Sequence, residues 1–292
     1  MEEQKNSMNI QWYPGHMTKT RRMMEEDLKL VDAVCEILDA RIPISSRNPD
    51  IDAICGKKPR MVILNRIDMA DADLVGRWSN YFKDRGMAVI RTDCKSRKGI
   101  NTFAPAVRQL LAEKLQRYAE KGQVGRPLKL MVVGIPNVGK STFINQIAGR
   151  KGAKAENRPG VTRGKQWVNV DGGLLLLDTP GILWPKFDDP EVGMRLAYTG
   201  AVKDDVLDTE TLGCHLMELL AREYPGALTE RYKIEIPAEI DGWELLQAAG
   251  RKRGFLVSGG EVDTERMARV LLDEYRSCKL GTFTLERPEE LA

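Results

Sequence analysis

The chain has 292 residues, of which 42% are apolar and 30% are charged, as in a globular protein with one large or two ordinary domains. It has no run of about 18 apolar residues and no apolar leader, so we expect a cytosolic protein without a membrane span. The net charge of +3 hides an asymmetry. Residues 201–292 carry 12 Lys and Arg against 19 Asp and Glu, which leaves 33 against 23 in residues 1–200. The basic part favours RNA as a partner, although its cations could equally face a bound nucleotide and water.

The N-terminal 180 residues alternate amphipathic segments with short apolar runs. Helical spacing predicts helices over residues 16–30, 70–85, 100–121 and 140–148. The apolar runs predict strands over residues 33–38, 60–64, 87–91 and 128–133, and a hairpin from 166–170 and 174–177. This alternation predicts an α/β domain, a mostly parallel sheet with helices on both faces. Ligands of such sheets bind beyond the carboxyl ends of the strands.

After residue 184 the strand pattern ends. Helices are predicted over residues 190–200, 209–222, 239–250 and 262–277. We therefore predict an α/β domain over residues 1–184 and a small all-helical domain over residues 185–292. The five cysteines are scattered and form no Cys-x-x-Cys pair, which indicates reduced and mostly buried thiols.

Residues 134–141 read GIPNVGKS, a complete phosphate-loop signature between a predicted strand and a predicted helix. Its glycines let backbone amides surround phosphate oxygens, and the following helix directs its positive end at the same anion. We expect Lys140 to reach the β- and γ-phosphates and the Ser141 hydroxyl to bind Mg²⁺.

Residues 178–181 read DTPG and follow a predicted strand. In this position Asp178 would hold Mg²⁺ through water, and the Gly181 amide would touch the γ-phosphate. Thr162, in the segment RPGVT, is the candidate switch hydroxyl that binds Mg²⁺ only in the GTP state. The alternative is an ordinary loop threonine.

Residues 65–68, NRID, follow another predicted strand. A carboxylate at Asp68 can accept two N–H groups from guanine but not from adenine, which selects GTP over ATP. Arg66 replaces the usual lysine and can stack over the base. At the next strand end, Asp93 and Cys94 offer the Cys94 amide to the guanine carbonyl oxygen, with a plain loop as the alternative.

The order of these motifs is unusual, because the base-reading NRID precedes the phosphate loop and DTPG. In ordinary GTPases it comes last, so the order indicates a circularly permuted GTPase. The residues expected to contact the nucleotide are Asn65, Arg66, Asp68, Asp93, Cys94, Asn137, Val138, Gly139, Lys140, Ser141, Thr142 and Gly181.

Ile182 stands where Ras-type enzymes place the glutamine that orients the attacking water, and isoleucine cannot do this. His16 is the conspicuous candidate for that role, since the chain has only one other histidine, His215. Chemistry alone favours a structural role for His16, packing or capping the helix that follows it.

The motif order, together with WYPGHM at residues 12–17, GIPNVGKS, PGVT and DTPG, closely resembles the YlqF/RbgA family of ribosome biogenesis GTPases. The resemblance covers essentially the whole chain. It implies a circularly permuted Ras-like P-loop domain followed by a helical domain that binds RNA or the ribosome, and hydrolysis of GTP with Mg²⁺. It also implies late assembly of the large (50S) ribosomal subunit, contact with rRNA and ribosomal proteins, and stimulation of hydrolysis by the ribosomal particle.

The same resemblance assigns His16 to hydrolysis and Ile182 to the hydrophobic replacement of the glutamine. It assigns Asn137 to the asparagine of potassium-stimulated members, so K⁺ is an expected activator. Arg66 and the Asp93-Cys94-Lys95 element depart from the family pattern, which bears on affinity for the base. Three alternatives stay open: a nucleotide-dependent signalling switch that binds only proteins, a non-catalytic RNA-binding module, and an ATPase.

Overall fold

The computed structural model of the chain describes residues 17–149, 166–170, 172–179, 189–202 and 208–291. The described residues divide into two compact units. The first comprises residues 17–179 together with 284–291, and the second comprises residues 189–283, each with the gaps just given. No helix in these ranges is long and apolar enough to cross a membrane.

The first unit is built on a six-stranded sheet in the order β3-β2-β1-β4-β6-β5. Its strands are β1 (Ala33–Asp39), β2 (Arg60–Asn65), β3 (Ala88–Thr92), β4 (Leu128–Val133), β5 (Gln166–Val170) and β6 (Leu174–Asp178). All neighbours are parallel except β5 and β6, which form the predicted hairpin. The α/β prediction is confirmed, and the first strand of the chain lies in the middle of the sheet beside β4.

The helices of the first unit are α1 (Met17–Leu28), α2 (Ile51–Cys55), α3 (Ala72–Asp84), α4 (Phe103–Leu110), α5 (Ala112–Glu120) and α6 (Lys140–Ala148). Buried side chains of α1, α2 and α3 pack on one face of the sheet, against Val34, Leu38 and Val62 among others. Ile37 and Ile63 point to the opposite face, because side chains alternate along a strand, and they are fully buried as well. Both faces of the sheet are therefore covered.

One predicted helix is wrong. Residues 100–121 form a 3₁₀ turn (Ile100–Thr102), α4 and α5, and the helix breaks at Leu111 with φ −108° and ψ 23°. Leu111 is buried, whereas α5 buries no side chain. The break lets α5 leave the sheet that α4 contacts, a change of direction that hydrophobic spacing alone does not reveal.

The second unit contains α7 (Pro190–Tyr198), α8 (Thr209–Glu223), α9 (Pro225–Tyr232), α10 (Gly242–Lys252) and α11 (Thr264–Arg276). Sequence spacing missed α9, which starts on Pro225, a residue suited to the first turn of a helix. The helices α8 and α11 approach closely at Gly213, where an added Cβ would lie 2.4 Å from the Cβ of Ala268. Any larger residue at position 213 would force these helices apart.

A buried carboxylate ties the helices of the second unit together. Glu274 of α11 accepts hydrogen bonds from Arg231, from Arg253 at 3.1 Å and from the Tyr232 hydroxyl at 2.8 Å. Burial acts to raise the pKa of Glu274, but the hydrogen bonds from Arg231 and Tyr232 lower it overall. The carboxylate therefore stays ionised and joins α9, α10 and α11.

The last residues of the chain, 284–291, belong to the first unit, whereas the sequence placed all of 185–292 in the helical domain. The Leu285 amide donates to the Arg41 carbonyl oxygen at 2.8 Å, and Trp78 Nε1 donates to the Glu286 carbonyl oxygen at 3.0 Å. The buried Glu286 carboxylate accepts from the amides of Ile44 at 2.6 Å and Ser45 at 2.9 Å, and from the Ser45 hydroxyl. This tail closes over the loop that follows β1.

We predict that Glu286→Ala lowers the free energy of unfolding by about 1–3 kcal/mol, because it leaves two amides of that loop without an acceptor. Glu289→Ala is the matched control: its ion pair with Arg77 is exposed and screened by water, so its loss should leave the stability nearly unchanged. Urea denaturation monitored by circular dichroism measures both. Equal midpoints for the two variants would contradict a structural role for Glu286.

Candidate functional site

The candidate site lies at the carboxyl edge of the parallel strands. The base-reading motif begins at the last residue of β2, the phosphate loop follows β4, and DTPG begins at the last residue of β6. Because β2-β1-β4-β6 are adjacent and parallel, their carboxyl ends lie along one edge of the sheet. Residues far apart in the sequence are thereby brought together.

Asn65 connects these loops directly. Its carboxamide Nδ2 donates to the Val138 carbonyl oxygen of the phosphate loop at 2.9 Å. Its Oδ1 accepts from Thr92 Oγ1 and from Cys94 Sγ, each at 3.1 Å. Asn65 is 2% exposed, so each of these hydrogen bonds replaces one with water that burial removed. A single side chain thus fixes the loops after β2, β3 and β4.

The phosphate loop approaches Asn65 closely at Gly139. This residue has φ +97°, a conformation that favours glycine, and an added Cβ would lie 2.5 Å from Asn65 Nδ2. The loop leads into α6, which begins at Lys140. Ser141 and Thr142 are exposed in the first turn of α6, where backbone amides are available to an anion.

Lys140 and Asp178 form an ion pair between the phosphate loop and the end of β6. The lysine side chain is 9% exposed and the aspartate side chain 24%, so the pair is largely shielded from bulk water. Next to it, Thr179 Oγ1 donates to the Val132 carbonyl oxygen of β4 at 2.7 Å and fixes the start of the DTPG segment. Lys140 and Asp178 are the groups for which the sequence predicted contacts with phosphate and with Mg²⁺, respectively.

Arg66 lies between the base-reading and phosphate loops. Its guanidinium donates to the Asn137 carbonyl oxygen and lies 3.7 Å from the carboxylate of Asp39. Asp39 in turn binds Arg41 through two guanidinium contacts, at 2.9 and 2.8 Å. Arg41 keeps the pKa of Asp39 low although burial acts to raise it, so Asp39 stays charged beside Arg66.

Two carboxylates stand at the base-reading end. Burial and the neighbouring charge of Asp93 raise the pKa of Asp68. Burial also acts to raise the pKa of Asp93, but hydrogen bonds from the Ser96 side chain and from the amides of Lys95 and Ser96 lower it overall. Asp93 is thus ionised wherever Asp68 titrates, and Asp68 is the carboxylate that gains most from N–H donors of a ligand.

Cys94 is 4% exposed, and burial raises its pKa to about 11, so the thiol stays protonated and donates to Asn65. All five cysteines lie in the described ranges and all are free thiols. His16, Thr162, Gly181 and Ile182 lie outside the described residues.

The chemistry of the donor set fits Mg²⁺. The Ser141 hydroxyl and the Asp178 carboxylate supply hard oxygen donors, and Mg²⁺ is held by one or two such groups together with water and phosphate oxygens. When bound, the ion would neutralise charge on the phosphates. Ser141 and Asp178 are the described residues that would hold it.

Residues 129–223 match the family of 50S ribosome-binding GTPases. Ribosome biogenesis GTPase A of Priestia megaterium is 48% identical to the chain, over 97% of this chain and 98% of the relative. The chain belongs to the ribosome biogenesis GTPase A family.

Family membership makes the chain a GTP-hydrolysing enzyme and its fold a circularly permuted GTPase domain with a helical C-terminal region. A GDP-bound YlqF structure is 27% identical, covers 92% of this chain and 100% of its own, and has a TM-score of 0.68. The GNP-bound YlqF from Thermotoga maritima has the same identity, coverages of 93% and 99%, and a TM-score of 0.66. These relatives do not favour the signalling switch, the non-catalytic module or the ATPase.

Three contributors to the site were missed from sequence. Asp39 lies 3.7 Å from the Arg66 guanidinium and is itself bound by Arg41, and Thr179 is hydrogen-bonded to Val132 of β4 just after β6 ends. Asp39 ends a predicted strand beside the site, which was an available signal. The contact of Thr179 with Val132 left no sequence signal, because it depends on which strands are neighbours.

We predict that GDP affinity falls on acidification through the raised pKa of Asp68, because guanine N–H groups need the carboxylate as acceptor. Asp93→Asn removes the repelling charge, lowers the pKa of Asp68 and shifts the loss to lower pH. Titration calorimetry with GDP between pH 4.5 and 8 tests this, with the exposed Asp84→Asn as control. A midpoint that does not move in Asp93→Asn would contradict the coupling.

We predict that Asp178→Asn lowers the Mg²⁺-dependent part of GTP-analogue affinity by about 10–100-fold, because the ion loses a charged supporting group. In EDTA the variant should bind at least as tightly as the wild type, since Lys140 is no longer held by an opposite charge. The affinity for the GTP analogue, measured once with Mg²⁺ and once with EDTA, separates the Mg²⁺-dependent part from the rest. Equal losses in the two buffers would instead indicate damage to the loop.

Proposed function

We propose that the chain is a cytoplasmic GTPase that acts as a checkpoint in late assembly of the large (50S) ribosomal subunit and contacts rRNA and ribosomal proteins. The observation that carries the nucleotide part is the hydrogen bond from Asn65 to Val138, which joins the base-reading loop to the phosphate loop. The names of the family and of its relatives support the ribosomal part.

In this proposal Asp68 selects guanine, Arg66 covers the base, and the amide of Cys94, held by Asp93 and Asn65, meets the guanine carbonyl oxygen. Lys140, Thr142 and the amides of Asn137, Val138 and Gly139 bind phosphate oxygens. Ser141, Asp178 and Thr162 hold Mg²⁺, and Gly181 touches the γ-phosphate. The described arrangement supports the roles of residues 65–68 and 137–142, whose loops meet at one sheet edge.

For hydrolysis we assign the orientation of the attacking water to His16, since Ile182 has no polar group that could orient it. A positioned imidazole contributes about 10²–10⁴-fold to a proton-transfer step. The side chain of Asn137 supplies an oxygen ligand to an activating K⁺ ion near the phosphates. Asn137 is exposed in the phosphate loop with φ +59°, which presents its side chain at the rim of the site.

The chain connectivity suggests how nucleotide state reaches the second unit. In the sequence, α7 of the second unit follows β6 of the first unit after eleven residues, and the chain passes back to the first unit at residues 283–284. A segment ordered by the γ-phosphate would therefore act on the helical unit at its entry, and hydrolysis would release it.

We predict that His16→Ala lowers subunit-stimulated GTP turnover by about 100-fold or more while GDP affinity stays unchanged. His215→Ala, in the helical unit, is the matched control and should keep the stimulated rate. Turnover is measured with and without large subunits, in K⁺ and in Na⁺ buffer. Equal stimulated rates would remove His16 from the mechanism, absence of stimulation in the wild type would overturn the checkpoint, and equal rates in K⁺ and Na⁺ would exclude the potassium site.

A further inference from the structure

A basic groove lies at the amino edge of the sheet, the edge opposite the nucleotide loops. It encloses about 1120 Å³ between the segment before β2 and the helix α5 with the linker that follows it. Six cationic side chains line this basic groove: Lys57, Lys58, Lys114, Arg117, Lys121 and Arg126. The carboxylates in its lining are those of Asp32 and Glu113.

The charge of the basic groove is not cancelled from within. The Asp32 carboxylate forms an ion pair with Lys114 and accepts a hydrogen bond from the Lys129 amide at 2.8 Å. The Glu113 carboxylate lies 3.8 Å from Arg117, and both side chains are exposed. Lys57 and Lys121 are exposed and form no ion pair within the part of the chain that the structure describes. An excess of positive charge therefore faces solvent.

The cations are arranged in a row beside an aromatic ring. Lys114 and Arg117 lie on α5 and Lys121 is the residue that ends it; spaced three and four residues apart, they lie on one side of the helix and extend over about 10 Å. The half-buried Tyr118 has the Arg126 guanidinium 4.9 Å and the Lys114 ammonium 5.6 Å from its ring centre. A cationic track with a stacking ring is the combination that binds single-stranded nucleic acid.

The position of the basic groove shows whether its positive charge can face the nucleotide. Asp32, Pro59 and Arg126 precede β1, β2 and β4, whereas the nucleotide loops follow these strands. Strands of six or seven residues separate the two edges by about 20 Å. The positive charge of the basic groove therefore does not face the nucleotide loops. Since α5 buries no side chain, its basic side is not explained by packing either.

We propose that the basic groove binds a single-stranded segment of RNA, with its phosphates on the α5 row and a base on Tyr118. The inference rests on the proposed function, to which it adds the surface that meets rRNA. The nucleotide site stays open at the opposite edge, so RNA and GTP can be bound at the same time.

The test compares Lys57→Glu/Lys121→Glu with the charge-matched control Lys29→Glu/Lys83→Glu, whose lysines are exposed outside the basic groove. The probe is a fluorescent 20-nucleotide single-stranded RNA, and its affinity is measured by anisotropy from 50 to 200 mM KCl. The groove variant should bind at least about tenfold more weakly, and the slope of log K against log salt should fall by about 1.4 for two lost phosphate contacts. The control should stay within about twofold of the wild type, and GDP affinity should be equal in all three proteins.

A second pair of variants tests the ring. Tyr118→Ala should weaken RNA binding at least about fivefold through loss of stacking, whereas Tyr118→Phe should retain it. Equal losses in the groove variant and the charge control, or no loss in either, would overturn the proposal. So would unchanged RNA binding together with a lost affinity for polyglutamate, which would point to an acidic protein.

The two proposals fail separately. Subunit-stimulated turnover in the wild type with RNA affinity unaffected by the groove variant would reject the basic groove alone. Groove-dependent RNA binding without stimulated turnover would leave the basic groove in place and reject the ribosomal checkpoint.

Discussion

The carboxamide of Asn65 is the contact on which the nucleotide site depends. It has both donor and acceptor groups, and it uses the donor on Val138 and the acceptor on Thr92 and Cys94. No carboxylate or hydroxyl could make the same set, because a carboxylate lacks the donor and a hydroxyl is too short to reach both sides. Buried in this position, the amide holds two loops that the chain order separates by about seventy residues at one fixed spacing. The base and the phosphates of one guanine nucleotide have a limited range of separations. Two loops that bind them together must therefore be held at a matching spacing.

This contact also explains why the permuted order is tolerated. The site depends on which strands are neighbours and on which edge their loops emerge, and neither depends on where the chain begins. Here β1 lies between the base-reading strand β2 and the phosphate strand β4, with both pairs parallel.

Around that contact the charged groups are already paired inside the protein. Lys140 forms an ion pair with Asp178, and Arg66 lies near Asp39, which forms its own ion pair with Arg41. Such pairs hold the cations of Lys140 and Arg66 at this edge of the sheet and limit the cost of their burial. The Glu286 tail acts on the same loop as Arg41, so the end of the chain supports this network from the outer side.

The sequence by itself determined the strands, most of the helices, the sheet class and the motif residues, because these depend on local periodicity and on short-range loop chemistry. It did not determine the break at Leu111, the helix α9 or the return of residues 284–291 to the first unit, since each depends on what the segment packs against. Nor did it reveal that Asn65, Asp39 and Thr179 reach across to neighbouring strands. It likewise did not determine whether the basic residues face a bound nucleotide or RNA. Only the tertiary structure placed the cations of residues 57–58 and 114–126 at the opposite edge, because the direction of each strand decides at which end its flanking residues lie.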